Sequence, residues 1–227
     1  MLEKLRHEVW QANMSLPENN LVVGTTGNVS GLDRESNLVV IKPSGVKYSE
    51  LKQEDLVVLD LEGKVVEGKL KPSVDTPHHL YLYRNLKGVG GIIHTHSPYA
   101  TMFAMLEKSI PVYNTTQADI FGREIPCTPY VDNKADHIGK AILENYKEGC
   151  PAILLGKHGV FTFAETPARA LHASLMLEYV AMTAKGALEL SAALRREITP
   201  FSEVETQKWY ARHHGGGYGQ KERGHNT

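Results

Sequence analysis

Cysteine is scarce. Only Cys127 and Cys150 occur in 227 residues. They lie far apart with no secretory leader ahead of them, so both read as reduced and incidental, and a disulfide framework is excluded. An excess of one charge is also missing. With 25 basic and 26 acidic residues the formal net charge is -1, which leaves no global field for nucleic acid or an anionic membrane. The one loose basic cluster, Lys208, Arg212, His213 and His214, reads as a solvated helix face. No apolar run approaches the roughly 20 residues of a membrane-spanning helix. The opening stretch MLEKLRHEVWQANMSL carries charge throughout and lacks the apolar centre of a secretory signal. These absences predict a cytoplasmic protein with neither nucleic acid nor membrane as partner. Repeats and linkers are missing too, so one domain is expected over 1–220, with 221–227 as a mobile tail.

What is present is a globular composition and a mixed pattern of elements. Leu2, Leu5, Val9 and Trp10 share one side of a helical wheel. VVGTTGNVSGLD reads as a loop, or as a strand pair that a loop interrupts. LVVIKPSGVKYSEL suggests a β-branched strand, a Pro-Ser-Gly turn and a short helix, and LVVLDLEGKVVEG a strand, a turn at Glu62-Gly63 and a second strand. Asp75 or Thr76 can cap a helix with Pro77 in its first turn and Leu80, Tyr83 and Leu86 on its apolar face. VGGIIHTH then reads as a strand and SPYATMFAMLE as a helix. Pro126 and Pro129 confine 125–131 to an edge strand or an irregular segment. Residues 134–147 look helical, PAILLG and GVFTFA are strands, and Thr166-Pro167 opens the longest helix. A last helix spans about 203–212. Strands and helices that mix without strict alternation predict an α/β domain whose central sheet, mixed and mainly antiparallel, is flanked by helices.

The sharpest chemical feature is His-Thr-His. Side chains alternate along a strand, so His94 and His96 point to one side and can reach one ion. Zinc, manganese, cobalt and nickel all suit paired imidazoles. His158 follows the strand AILLG at the mouth of the sheet, and three histidines with an open fourth position would make a catalytic metal site. A hydrogen-bonded loop histidine is the competing reading of His158. Asp75 is the candidate fourth ligand, and a simple helix cap accounts for it equally well. His78 and His79, one turn further on, are expected to be exposed or partly packed and outside the site. Three polar segments offer hydroxyls, glycine N–H groups and lysines to an anion: Thr25, Thr26, Gly27, Asn28 and Ser30; Lys42, Ser44 and Gly45; Lys71 and Ser73. None forms a Walker or dinucleotide loop, and ordinary turn chemistry is the alternative for each.

GNVS (27–30), IKPSG (41–45), KPSVDTPHH (71–79), GGIIHTHS (90–97), TTQAD (115–119), IPCTPY (125–130) and KHG (157–159) together resemble the class II aldolase and epimerase superfamily. The match is nearest to its L-ribulose-5-phosphate 4-epimerase branch and covers about 1–220. The resemblance implies a homotetramer with active sites between subunits. It also implies one divalent metal per subunit, zinc first with manganese or cobalt as alternatives, held by Asp75, His94, His96 and His158. Asn28, Lys42, Ser44, Gly45 and Ser73 match the positions that hold a sugar phosphate, the expected small-molecule partner. Asp119 and Tyr218 match two proton-handling residues, the tyrosine coming from a neighbouring subunit. The implied reaction interconverts L-ribulose 5-phosphate and D-xylulose 5-phosphate by retro-aldol and aldol cleavage of the C3–C4 bond, through an enediolate that the metal stabilises.

The chain departs from the family's pattern in several places. Asp75 is shorter than the glutamate common in the sugar-phosphate aldolases, which favours epimerisation. Gln117 replaces a histidine, Val74 a serine, Thr26 a tryptophan and Trp209 a histidine, and 132–144 looks shortened. These changes are expected around the substrate pocket, where they bear on which sugar is used. An aldolase resembling L-fuculose-1-phosphate aldolase is the alternative activity, and a non-catalytic oligomeric module like adducin is a further one.

Overall fold

A computed structural model describes residues 2–215. The chain opens with helix α1 (Glu3–Glu18). Two strand pairs follow, β1 (Asn28–Asp33) with β2 (Leu38–Ile41), and β3 (Val57–Asp60) with β4 (Val65–Glu67). Then come α2 (Thr76–Asn85), β5 (Gly91–Thr95), α3 (Pro98–Met105), α4 (Thr115–Phe121), the two-residue β6 (Cys127–Thr128) and α5 (His137–Asn145). The hairpin β7 (Ala152–Leu155) and β8 (Gly159–Ala164) leads into the long α6 (Pro167–Leu194) and α7 (Glu203–His214). One sheet holds all eight strands in the order β4-β3-β2-β1-β5-β8-β7-β6. Every pairing is antiparallel except β6 with β7. The expected mixed, mainly antiparallel sheet is thus what forms.

Alternation along the strands sorts the core into two faces. Val29, Val40, Val58 and Ile93 turn to the side of α1 and α6. Leu32, Val39, Ile92, Ile153, Phe161 and Phe163 turn to the side of α2 and α5. A third cluster under α3, α4 and α6 gathers Phe103, Phe121, Leu154, Val160, Leu177 and Val180. Each fully buried aliphatic side chain contributes about 1.5–3 kcal/mol, so the helices are held on by many such contacts and not by ion pairs, nearly all of which are exposed.

Most sequence expectations match these elements, with informative shifts. The buried stripe of α1 is Arg6, Val9, Ala12, Asn13 and Leu16, while Leu2, Leu5 and Trp10 pack only partly. Arg6 is buried because its guanidinium donates to the Leu56 carbonyl and pairs with Glu67. The short helix expected after Pro-Ser-Gly is a pair of 3₁₀ turns, Tyr48–Glu50 and Gln53–Asp55. Helix α4 was not foreseen. Its cap is Asn114, whose side chain accepts from the Gln117 N–H at 2.9 Å, and Gly122 closes it in the left-handed region. Among the described residues no helix is long and apolar enough to cross a membrane.

Both cysteines are free. Burial, with the nearby Glu107 charge, pushes the Cys127 thiol up to about 11, and burial pushes Cys150 up to about 12. A thiol whose folded value lies above its unfolded one of about 9 favours the native state at neutral pH. That preference fades as pH rises past about 9, because only the unfolded chain then gains thiolate. The native protein is therefore expected to resist iodoacetamide at pH 8 and to react at both cysteines once unfolded. Rapid alkylation of the native state would contradict this burial.

Candidate active site

Strand pairing brings the site together. Asn28 on β1 lies directly opposite His94 on β5, and His94 lies opposite Phe161 on β8, so all three share one face of the sheet. The strand ends at Thr95, and His96 continues its alternation one residue beyond. His158 arrives from the β7–β8 hairpin, whose turn places Lys157 at φ 56° and closes with the His158 N–H donating to the Leu155 carbonyl. The His94 ring centroid is 4.9 Å from that of His96 and 5.0 Å from that of His158, and the His96 and His158 centroids are 5.0 Å apart. One ligand atom from each lies within 4.8 Å of the others.

This triangle suits a divalent ion. His94 Nδ1 faces the Val160 carbonyl oxygen at 2.9 Å, so it carries the proton and leaves Nε2 as a lone pair. That Nε2 is 3.1 Å from His96 Nε2. Two nitrogens bound tetrahedrally at zinc distances would stand about 3.3 Å apart. Burial lowers His94 to about 4 and pushes His96 and His158 below the ordinary imidazole range, which keeps all three in the neutral form that metals bind. The carboxylate of Asp75 does not cap α2. Its Oδ2 accepts from the Asn28 amide at 2.7 Å, with the Ser73 hydroxyl 3.4 Å away. Burial would raise the Asp75 carboxyl, but the His94 and His79 imidazoles and the Asn28 amide outweigh it and hold it low. The helix-cap reading of Asp75 is thus corrected: its backbone carbonyl closes the first turn while its side chain faces the histidines.

One cavity of about 310 Å³ is lined by His94, His96, His158 and Asp75 together with Asn28, Lys42, Ser44, Gly45 and Ser73. Metal and phosphate candidates from five separate stretches of sequence therefore meet in a single pocket. Lys42 is 1% exposed. Among the described residues its ammonium has carbonyls and an aromatic ring around it, with Thr25 O at 3.4 Å, Pro43 O at 3.5 Å and the Tyr48 ring centroid at 4.8 Å, and no carboxylate partner. A buried cation without a carboxylate partner is costly, and an anion in the pocket would relieve that cost. Burial accordingly lowers the Lys42 amine.

Several expectations need correction. His78 and His79 are fully buried, not exposed. His79 Nδ1 meets Ser30 Oγ at 2.7 Å, and that hydroxyl meets Tyr83 at 2.8 Å, so Ser30 serves this internal chain and not the cradle. Lys71 is exposed and offers only its backbone carbonyl, to the Ser44 N–H. Thr25, Thr26, Val74 and Asn133 line the cavity. Gln117 does not: it is buried and bonds the Ile110 carbonyl at 2.8 Å. Trp209, on α7, bonds Glu205 instead of lining the cavity. Asp119 stands on α4, which packs against α6 and α7, and does not line the cavity either. Tyr218 lies outside the described residues. Asn133 was missed because an exposed loop asparagine carries no periodic signal.

The family model for the class II aldolase and adducin N-terminal domain matches residues 7–184. The chain belongs to this family. It is 41% identical to the L-ribulose-5-phosphate 4-epimerase UlaF of Salmonella paratyphi B, over 97% of this chain and all of that one. Among solved structures, an L-fuculose 1-phosphate aldolase superposes with a TM-score of 0.82 at 30% identity, covering 92% of this chain and 95% of that one. YgbL from Klebsiella pneumoniae gives 0.77 at 26% identity, over 92% and 99% of the two chains.

Two glycines let these parts approach one another. A Cβ on Gly27 would stand 2.9 Å from the His94 carbonyl oxygen, and Gly27 also adopts φ +75°. A Cβ on Gly159 would stand 2.7 Å from His96 Cδ2 and 3.3 Å from His94 Cε1. Gly159→Ala is therefore expected to lower the zinc retained per chain at least severalfold in elemental analysis, although no ligand atom is altered. Undiminished zinc in a folded Gly159→Ala protein would contradict the assigned ring positions.

Proposed function

We propose that this protein is a divalent-metal-dependent L-ribulose-5-phosphate 4-epimerase, interconverting that sugar with D-xylulose 5-phosphate. The observation that carries the proposal is one pocket shared by a three-histidine cluster and a buried lysine that has no counter-ion among the described residues. The 41% identity to a full-length epimerase supports the choice of sugar.

When bound by His94, His96 and His158, with Asp75 beside them, the ion supplies Lewis-acid charge to the substrate's carbonyl and neighbouring hydroxyl oxygens. Zinc is the first choice, with manganese or cobalt as alternatives. Lys42, Ser44, Gly45, Ser73 and Asn28 hold the phosphate. A base takes the proton from the C4 hydroxyl, the new carbonyl forms at C4, and the C3–C4 electron pair moves toward the C2 carbonyl. The phosphate grip retains the two-carbon aldehyde while it rotates to present its other face. The bond re-forms, and the C4 oxygen takes a proton on the opposite side. Two proton-handling groups are therefore required, one for each face. Asp119 and Tyr218 are assigned these roles at a pocket completed by a neighbouring copy in a homotetramer. The exposed Met102 and Met105 of α3, the adjoining Leu106, and Tyr179 and Met182 of α6 support such a contact. Two unpaired cysteines support a reducing, cytoplasmic location.

An aldolase is the second reading, favoured by the superposition on L-fuculose 1-phosphate aldolase. A coupled assay from L-ribulose 5-phosphate, run with and without chelation and with a trap for free aldehyde, separates the two. Chelator-sensitive D-xylulose 5-phosphate without trapped aldehyde is the expected result. Trapped aldehyde would establish the lyase, and no turnover after metal is restored would refute the choice of sugar.

A further inference from the structure

Tyr48 belongs to none of the groups assigned so far, yet it touches two of them. Its side chain is 4% exposed and touches three residues that line the pocket, Thr26, Gly27 and Lys42. The hydroxyl is 2.9 Å from the Thr26 carbonyl oxygen and 3.0 Å from that of Gly27. One phenolic proton can serve either acceptor, so the hydroxyl tethers two consecutive peptide units. The tethered turn has few other ties. The Thr26 N–H and hydroxyl both donate to the Val23 carbonyl, at 3.2 and 2.7 Å, and Val23 through Thr26 are exposed. The chain then passes through Gly27, close under the His94 carbonyl, into Asn28 opposite His94. The same ring carries the Lys42 ammonium at 4.8 Å from its centroid, a distance at which a cation is attracted to an aromatic face.

We propose that Tyr48 is a positioning residue for phosphate recognition, its hydroxyl setting the turn at Thr25, Thr26 and Gly27 and its ring setting the Lys42 ammonium. This inference rests on the phosphate cradle proposed above. A phenol suits the task better than phenylalanine because only the hydroxyl reaches the turn, and better than a lysine because it adds no second buried charge. A turn already held in its binding geometry has less ordering left to do when a ligand arrives, and that raises affinity. The hydroxyl therefore acts on affinity without touching the ligand.

Calorimetric titration with inorganic phosphate, on the metal-loaded full chain, separates this role from simple packing. Lys42→Met is expected to abolish measurable binding. Tyr48→Phe is expected to weaken binding about tenfold, to speed deuterium uptake in a peptide covering residues 22–29, and to leave bound metal unchanged. Its unfolding midpoint without phosphate should fall by only about 2–4 °C, the effect of one lost hydrogen bond. Replacing Tyr48 with 4-aminophenylalanine returns a donor to the ring's para position and should bring affinity back to within about threefold of wild type. Phosphate affinity equal to wild type in Tyr48→Phe, or no recovery with the amino analogue, would overturn the role of Tyr48. Wild-type protein that fails to bind phosphate, or Lys42→Met that binds it normally, would overturn the cradle beneath it.

Discussion

The ladder between β1 and β5 is the constraint on which the site depends. It sets Asn28 opposite His94, and Asn28 in turn reaches Asp75 and Ser73 on the segment leading into α2. A slip of one residue would turn the side chains of a strand to the other face of the sheet. His94 would then point at the α1 and α6 layer and Ile93 into the pocket. The buried faces that specify the register, Val29 and Ile93 on one side and Ile92 and Phe161 on the other, therefore also specify where the imidazoles stand. Hydrophobic packing and ligand geometry are one requirement here.

A second constraint is steric. The pocket forms where three segments crowd the end of the sheet, and glycine permits the crowding at Gly27 and Gly159. Around that crowded floor several polar side chains hold one another or the backbone: the Asn28 amide donates to Asp75 and Ser73, His94 to the Val160 carbonyl, and Tyr48 to the carbonyls above it. Lys42 is a buried cation that no carboxylate answers among the described residues. Electrostatic preorganisation of this kind holds charge where a ligand's opposite charge will come, with little reorganisation left to do on binding.

Much of this was legible in the residues. His-Thr-His at a strand end, Lys-Pro-Ser-Gly and Lys-Pro-Ser-Val-Asp are local patterns, and local patterns report local geometry. The strands around them were legible because apolar alternation is strong there. What escaped was set by tertiary contact. His78 and His79 carry no periodic mark of burial, since α2 must first be laid on the sheet before its inner face is known. Gln117 and Trp209 are expected near the pocket from the family resemblance alone, whereas α4 and α7 direct them into their own packing. Asn133 is an exposed residue of an irregular loop, and only the folded chain brings it over the cavity. Asp119 stands on α4, away from the cavity, so its proposed role rests on the family resemblance alone.

The central claim is that three histidines, by holding a metal, and a buried lysine, by holding a phosphate, serve one substrate in one pocket. Anomalous diffraction from crystals grown with zinc and inorganic phosphate tests it directly. The expected result is one zinc per chain at about 2.0–2.1 Å from a nitrogen of each of His94, His96 and His158, with a phosphate seated against Lys42 in the same cavity. Zinc bound elsewhere, or phosphate absent from that cavity while Lys42 stays buried, would contradict it.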